Sequence, residues 1–140
     1  MPLANRKRLV ALAAQYGVLI VEDDAYGDLR FEGEALPQLI ALDTQGWVLN
    51  VGTFSKILAP GVRMAWACGP EAIIKRLRKF KVEGSSGPFL TRLVERFASD
   101  GKLDVHINEL NANYRHKRDV MVAAITEHFP ADVRYVVPTG

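Results

Sequence analysis

The chain has 140 residues, enough for one hydrophobic core and too few for two comfortable domains. Its 18 basic and 16 acidic residues leave a net charge of +2, too small for a nucleic-acid or membrane footprint, and an apolar content of 49% excludes disorder. Cys68 is alone, which excludes an intrachain disulfide and favours a reducing compartment; no apolar run approaches the ~20 residues of a membrane span, so the sequence predicts a cytoplasmic protein.

Pro2 suits a first helical position, Leu9, Leu12, Ala13 and Tyr16 fall on one helical face, and Gly17 can close the helix, which predicts helix over residues 3–16. Val18 to Val21 then reads as a fully buried strand, as does Trp47 to Val51. Met64 to Cys68 is a third strand, with Cys68 packed in it as a small hydrophobe and Gly69-Pro70 ending it. Strands separated by loops and helices predict an α/β sheet.

From Glu71 to Lys81 the residues Ile73, Ile74, Leu77 and Phe80 recur at helical spacing, with basic residues between them facing water. Gly84-Ser85-Ser86-Gly87-Pro88 predicts a loop, residues 89–98 a helix, and Asp100-Gly101 a second break. Ile107, Leu110, Tyr114, Met121, Ile125 and Phe129 then lie near a seven-residue repeat, predicting one long bridging helix from Leu103 to Phe129. Arg115-His116-Lys117-Arg118 within it has no interleaved aromatics and reads as a solvated face, without a nucleic-acid partner. Arg134 to Val137 begins another strand, and Pro138-Thr139-Gly140 reads as a turn cut short.

Parallel strands bring the groups that follow them to one sheet edge, where they can converge on a ligand. Asp23 and Tyr26 follow the first strand, and Gly52-Thr53-Phe54-Ser55-Lys56 follows the second, with Arg63 just beyond the turn Ala59-Pro60-Gly61. An arginine fork with the Thr53 and Ser55 hydroxyls suits a phosphate. A lysine nucleophile beside such an anion site implies a phosphorylated aldehyde.

Val21-Glu22-Asp23-Asp24-Ala25-Tyr26, Gly52-Thr53-Phe54-Ser55-Lys56 and Pro60-Gly61-Val62-Arg63, in that order, resemble the fold-type I aminotransferases that use pyridoxal 5'-phosphate, above all the class I/II group with 2-aminoadipate aminotransferases and the aminotransferase half of MocR-type regulators. The resemblance implies part of a large α/β domain with a mixed, mostly parallel sheet and flanking helices. Residues 1–102 would be the carboxyl-terminal part of that domain, and residues 103–140 the connecting helix and the start of a small domain. It also implies that Asp23 pairs with the pyridinium nitrogen, Tyr26 donates to the ring oxygen O3′, Lys56 forms the Schiff base and then moves the proton, and Arg63, Thr53 and Ser55 hold the phosphate. The expected activity is amino transfer between an amino acid and a 2-oxo acid, in a homodimer. Members of the group are more than twice as long, so the chain is expected to be a fragment, and none of its arginines is assigned to the substrate carboxylate.

Other readings compete. Asp23 and Asp24 could cap the next segment, Tyr26 could be a rim aromatic, and Glu22 and Asp28 carry no chemistry in the reading adopted. His106, His116 and His128 are too far apart along a helix to share a metal, so none is expected. A phospho-receiver with Asp43 as acceptor is disfavoured because Asp24 to Asp43 is too short for the helix, strand and second helix between them. An inert truncated relative, or a β-lyase or cyclopropane-forming synthase using the same Asp23, Tyr26 and Lys56, are the remaining alternatives.

Overall fold

Leu3–Tyr16 forms helix α1 in the computed structural model, which describes residues 1–82 and 86–140. Gly17 ends the helix at φ +65°, where its N–H donates to the Ala13 carbonyl. The buried side chains are Val10 and Ala13, whereas Leu12 and Tyr16 reach solvent, so the core-facing stripe is rotated from the expected one. Val10 sets that rotation by packing with Leu39 and Val48, and Leu9, Ile20, Ile40 and Leu42 close around them.

Three strands form one sheet in the order β1 (Ile20–Asp23), β2 (Val48–Thr53), β3 (Ala65–Cys68). β1 runs parallel to β2 with Ile20 opposite Val48 and Asp23 opposite Val51; β3 runs antiparallel, with Gly52 opposite Trp66. The central strand is buried at Val48, Leu49 and Asn50. β1 starts two residues later than expected and is covered on one side only: Ile20 and Glu22 are half-buried while Val21 and Asp23 are exposed. Helices α1 and α2 (Leu39–Leu42) lie on the Ile20 side, so the apolar run at Val18–Val21 does not mark two covered faces. β3 is exposed throughout, and Cys68 with it, so the thiol is a surface group rather than a packed hydrophobe.

Beyond the sheet, α4 (Glu71–Phe80) and α5 (Pro88–Ser99) flank the predicted loop, of which Gly84 and Ser85 lie outside the described residues. Gly101, at φ +72°, then opens α6 (Lys102–His128), a single helix of 27 residues. It packs against α5 and against the short helix α3 (Phe54–Ile57) that follows β2. No helix among the described residues is long and apolar enough to cross a membrane.

One expectation fails in this half. Residues 134–137 form no strand, because no ladder pairs them; the tail docks instead through the Thr139 carbonyl, which accepts from the Phe31 and Glu32 N–H groups at 3.1 and 3.0 Å. Residues 115–117 are exposed, as a solvated face requires, and Arg118 alone is drawn in. Arg115 donates to the Phe31 carbonyl, and Arg118, whose side chain is 9% exposed, pairs with Glu32 and Asp119.

Candidate active site

The acids that end β1 do different work. Glu22 points toward the helices, where its carboxylate accepts from the backbone N–H groups of Leu39 (2.6 Å) and Ile40 (3.2 Å) and from the Asn50 amide (3.1 Å). It therefore satisfies the first turn of α2 and the one buried polar side chain of β2. Asp24 accepts from Gln38 Nε2, and its own N–H donates to the Val51 carbonyl at 2.9 Å. Asp23 sits between them on the other side of the strand. By alternation along paired strands it shares a face with Leu49, Val51 and Thr53, opposite the one that Glu22 occupies.

Asp43 is fully occupied by its own loop. Its two oxygens accept from the N–H groups of Gln45 (2.9 Å), Gly46 (3.0 Å), Trp47 (2.6 Å) and Val48 (2.8 Å). Burial pushes its carboxyl up, but the four N–H groups together outweigh it and hold the acid below its ordinary 3.8. A carboxylate so engaged is a loop anchor, and the phospho-receiver reading loses its acceptor.

The segment after β2 makes the other side of the site. Thr53 closes β2 and caps α3: its hydroxyl oxygen accepts from the Ser55 N–H at 3.1 Å and donates to the Met64 carbonyl at 3.1 Å, with Ser55 Oγ 3.0 Å away. Thr53 Oγ1 is placed to donate to both the Met64 carbonyl and Ser55 Oγ, so its one proton is held inside the turn. The α3 turn then carries Lys56 outward while Ile57 is buried.

Lys56 meets Tyr26 across the sheet edge, its Nζ 5.6 Å from the centre of the phenol ring. Both residues, with Ser55, line a groove of about 770 Å³ whose other walls include Phe31, Tyr114 and Pro138. The groove is mostly apolar, and the Lys56 amine and the hydroxyls of Tyr26, Ser55 and Tyr114 are the polar side-chain groups among its lining. Asp23 and Arg63 do not line it. Arg63 follows a 3-10 turn at Pro60–Val62 and holds φ +49°, the sole non-glycine residue at positive φ among those described. Such a backbone costs of order 1–2 kcal/mol and persists where the surroundings or the function require it.

Gly52 explains the tight exit from β2. A Cβ there would overlap the indole of Trp66, which in turn packs edge-on against Phe54 at 5.1 Å. The roles of Glu22, Asp43, Arg115 and Arg118 were missed from sequence. For Glu22 there was a signal, an acid in phase with Ile20 on the covered face; for the arginines, whose partners are remote in sequence, there was none.

The family profile described as aminotransferase class I and II matches residues 1–139. An uncharacterized aminotransferase of Saccharolobus solfataricus is 41% identical over 142 residues, covering 100% of this chain and 35% of the relative. Aromatic-amino-acid aminotransferase 1 of Thermococcus litoralis is 39% identical over 138 residues, covering 97% of this chain and 33% of the relative. Pyrococcus horikoshii kynurenine aminotransferase, crystallised with PMP, superposes with a TM-score of 0.93 at 38% identity, over 100% of this chain and 35% of that one. The chain thus spans about a third of the length of these relatives. Sequence and fold agree along nearly every residue, and the chain belongs to the class I and II aminotransferases, with the α/β fold of the fold-type I transferases.

Proposed function

We propose that this chain carries the cofactor-anchoring part of a pyridoxal-phosphate-dependent aminotransferase that exchanges an amino group between an amino acid and a 2-oxo acid. The observation that carries the reading is the pairing of Lys56 with Tyr26 in the wall of a shared groove, which the Ser55 side chain also lines. The donor set fits the group: an amine for a carbonyl carbon, a phenol for a ring oxygen, a carboxylate for a ring nitrogen, and a hydroxyl and a guanidinium for a phosphate. The kinship with a kynurenine aminotransferase crystallised with PMP supports the same choice.

When bound, pyridoxal phosphate supplies an electron sink that weakens the Cα–H bond of an amino acid. Lys56 would be the covalent anchor and, once released from it, the base at Cα. Tyr26, whose ring faces the Lys56 amine, would offer its hydroxyl to the ring oxygen. Asp23 would keep a proton on the ring nitrogen. Arg63 and Ser55 bind the phosphate, and Thr53 contributes through the position it gives Ser55.

In this reading residues 1–102 belong to the large domain and residues 103–140 to the connecting helix and the start of the small one. The whole protein works in the cytoplasm as a homodimer.

The deciding experiment is reduction with borohydride after incubation with pyridoxal phosphate, followed by peptide mapping. A phosphopyridoxyl label on Lys56 is expected. A label confined to other lysines refutes the assignment.

A further inference from the structure

Arg118 touches two walls of the groove at once. Its Nη2 donates to Glu32 at 2.6 Å, and its Nη1 to Glu32 at 3.1 Å and to the Pro138 carbonyl at 2.7 Å. Its Nε donates to Asp119 at 2.6 Å, and the guanidinium lies 5.1 Å from the centre of the Phe31 ring. Phe31 and Pro138 both line the groove that holds Lys56 and Tyr26.

The rest of this side of α6 repeats the pattern. Asn111 donates to the Asp28 carbonyl at 3.0 Å and Arg115 to that of Phe31, so positions 111, 115 and 118, on one helical stripe, suspend the segment that follows Tyr26. Pro138 and Thr139 join the same assembly, the first through Arg118 and the second through the Phe31 and Glu32 N–H groups.

We propose that Arg118 is a positioning residue of the groove: from α6 it fixes the separation of the Phe31 and Pro138 walls and, through the 28–32 segment, the placement of Tyr26 against Lys56. The inference rests on the functional reading above. A planar fork is required, because one side chain must bridge a carboxylate and a carbonyl while stacking on a ring, and the ammonium of a lysine would keep the charge without the geometry.

The test uses the full chain with Arg118→Met, Arg118→Lys and Glu32→Gln. Without cofactor, hydrogen exchange at the Phe31 and Glu32 amides should rise at least about tenfold in Arg118→Met, as charged hydrogen bonds are lost, while β2 is unchanged. Arg118→Lys should resemble Arg118→Met, and Glu32→Gln, which keeps the stack and the Pro138 bond, should fall between it and the parent. With pyridoxal phosphate added, absorbance titration should give about tenfold weaker binding in both Arg118 variants.

Unchanged exchange at Phe31 and Glu32 overturns the proposal, and so does faster exchange with cofactor binding unaltered. If Arg118→Met also loosens β2, the Glu32→Gln comparison decides. A parent chain that takes up no pyridoxal phosphate would defeat the functional reading, and the exchange data would still decide whether Arg118 sets the walls.

Discussion

The Lys56 ammonium faces the Tyr26 ring, 5.6 Å from its centre, so this phenol serves the amine through its π face and leaves its hydroxyl free for another partner. The two parts of the side chain can therefore be separated by mutation. Tyr26→Phe should weaken pyridoxal phosphate binding about tenfold, the equivalent of ~1.4 kcal/mol for one lost hydrogen bond, while borohydride labelling of Lys56 persists. Tyr26→Ala should lose both. Equal effects of the two variants in an absorbance titration would contradict the division of labour.

Arg63 combines a cation with a backbone that glycine would adopt freely. Arg63→Gly should stabilise the chain by about 1 kcal/mol in urea unfolding, through relief of the left-handed conformation, and should weaken binding of pyridoxal phosphate more than that of pyridoxal. A variant that gains stability and keeps its preference for the phosphorylated form would remove Arg63 from the phosphate site.

Gly52→Ala should destabilise the chain by about 1–3 kcal/mol, because the new methyl overlaps the Trp66 indole. Trp66→Ala introduced alongside it should recover part of the loss in a double-mutant cycle. Since Trp66 packs on Phe54, next to Ser55, the single variant should also disturb the α3 turn that carries Lys56.

Asp43 supplies the pH dependence. Its carboxyl is held below 3.8 in the folded chain, so its stabilisation is complete above that value and is lost as pH falls through the folded-state value. Asp43→Asn should cost about 1–3 kcal/mol at pH 7, since the neutral amide replaces one acceptor oxygen with a donor facing N–H groups. Urea unfolding at about pH 7 and about pH 3 should show that cost shrinking on the acid side. A constant difference would mean that another acid carries the effect.

Periodicity and punctuation made the long elements legible: α1 between Pro2 and Gly17, α6 after Gly101, and the three strands of the sheet. Exposure was misread where an apolar run was equated with two covered faces. Val21 is exposed because the helices packed on the sheet, α1 and α2, lie along its Ile20–Val48 side, and β3 is exposed because it is the edge strand, which neither helix covers. The Tyr26, Ser55 and Lys56 grouping could be anticipated because strand ends meet at one edge. What lies around it could not. Whether Arg118 faces water or Glu32 depends on a contact between α6 and a loop far back in the chain, and no local pattern encodes that distance.

Glu22 takes no part in the proposed chemistry, yet its three hydrogen bonds bind β1, β2 and α2 into one register. A slip of a single residue between the two parallel strands would turn it away, leaving the Leu39 and Ile40 amides and the Asn50 side chain unanswered, and would swing Asp23 beneath the helices. Glu22 thus acts as the compass of Asp23.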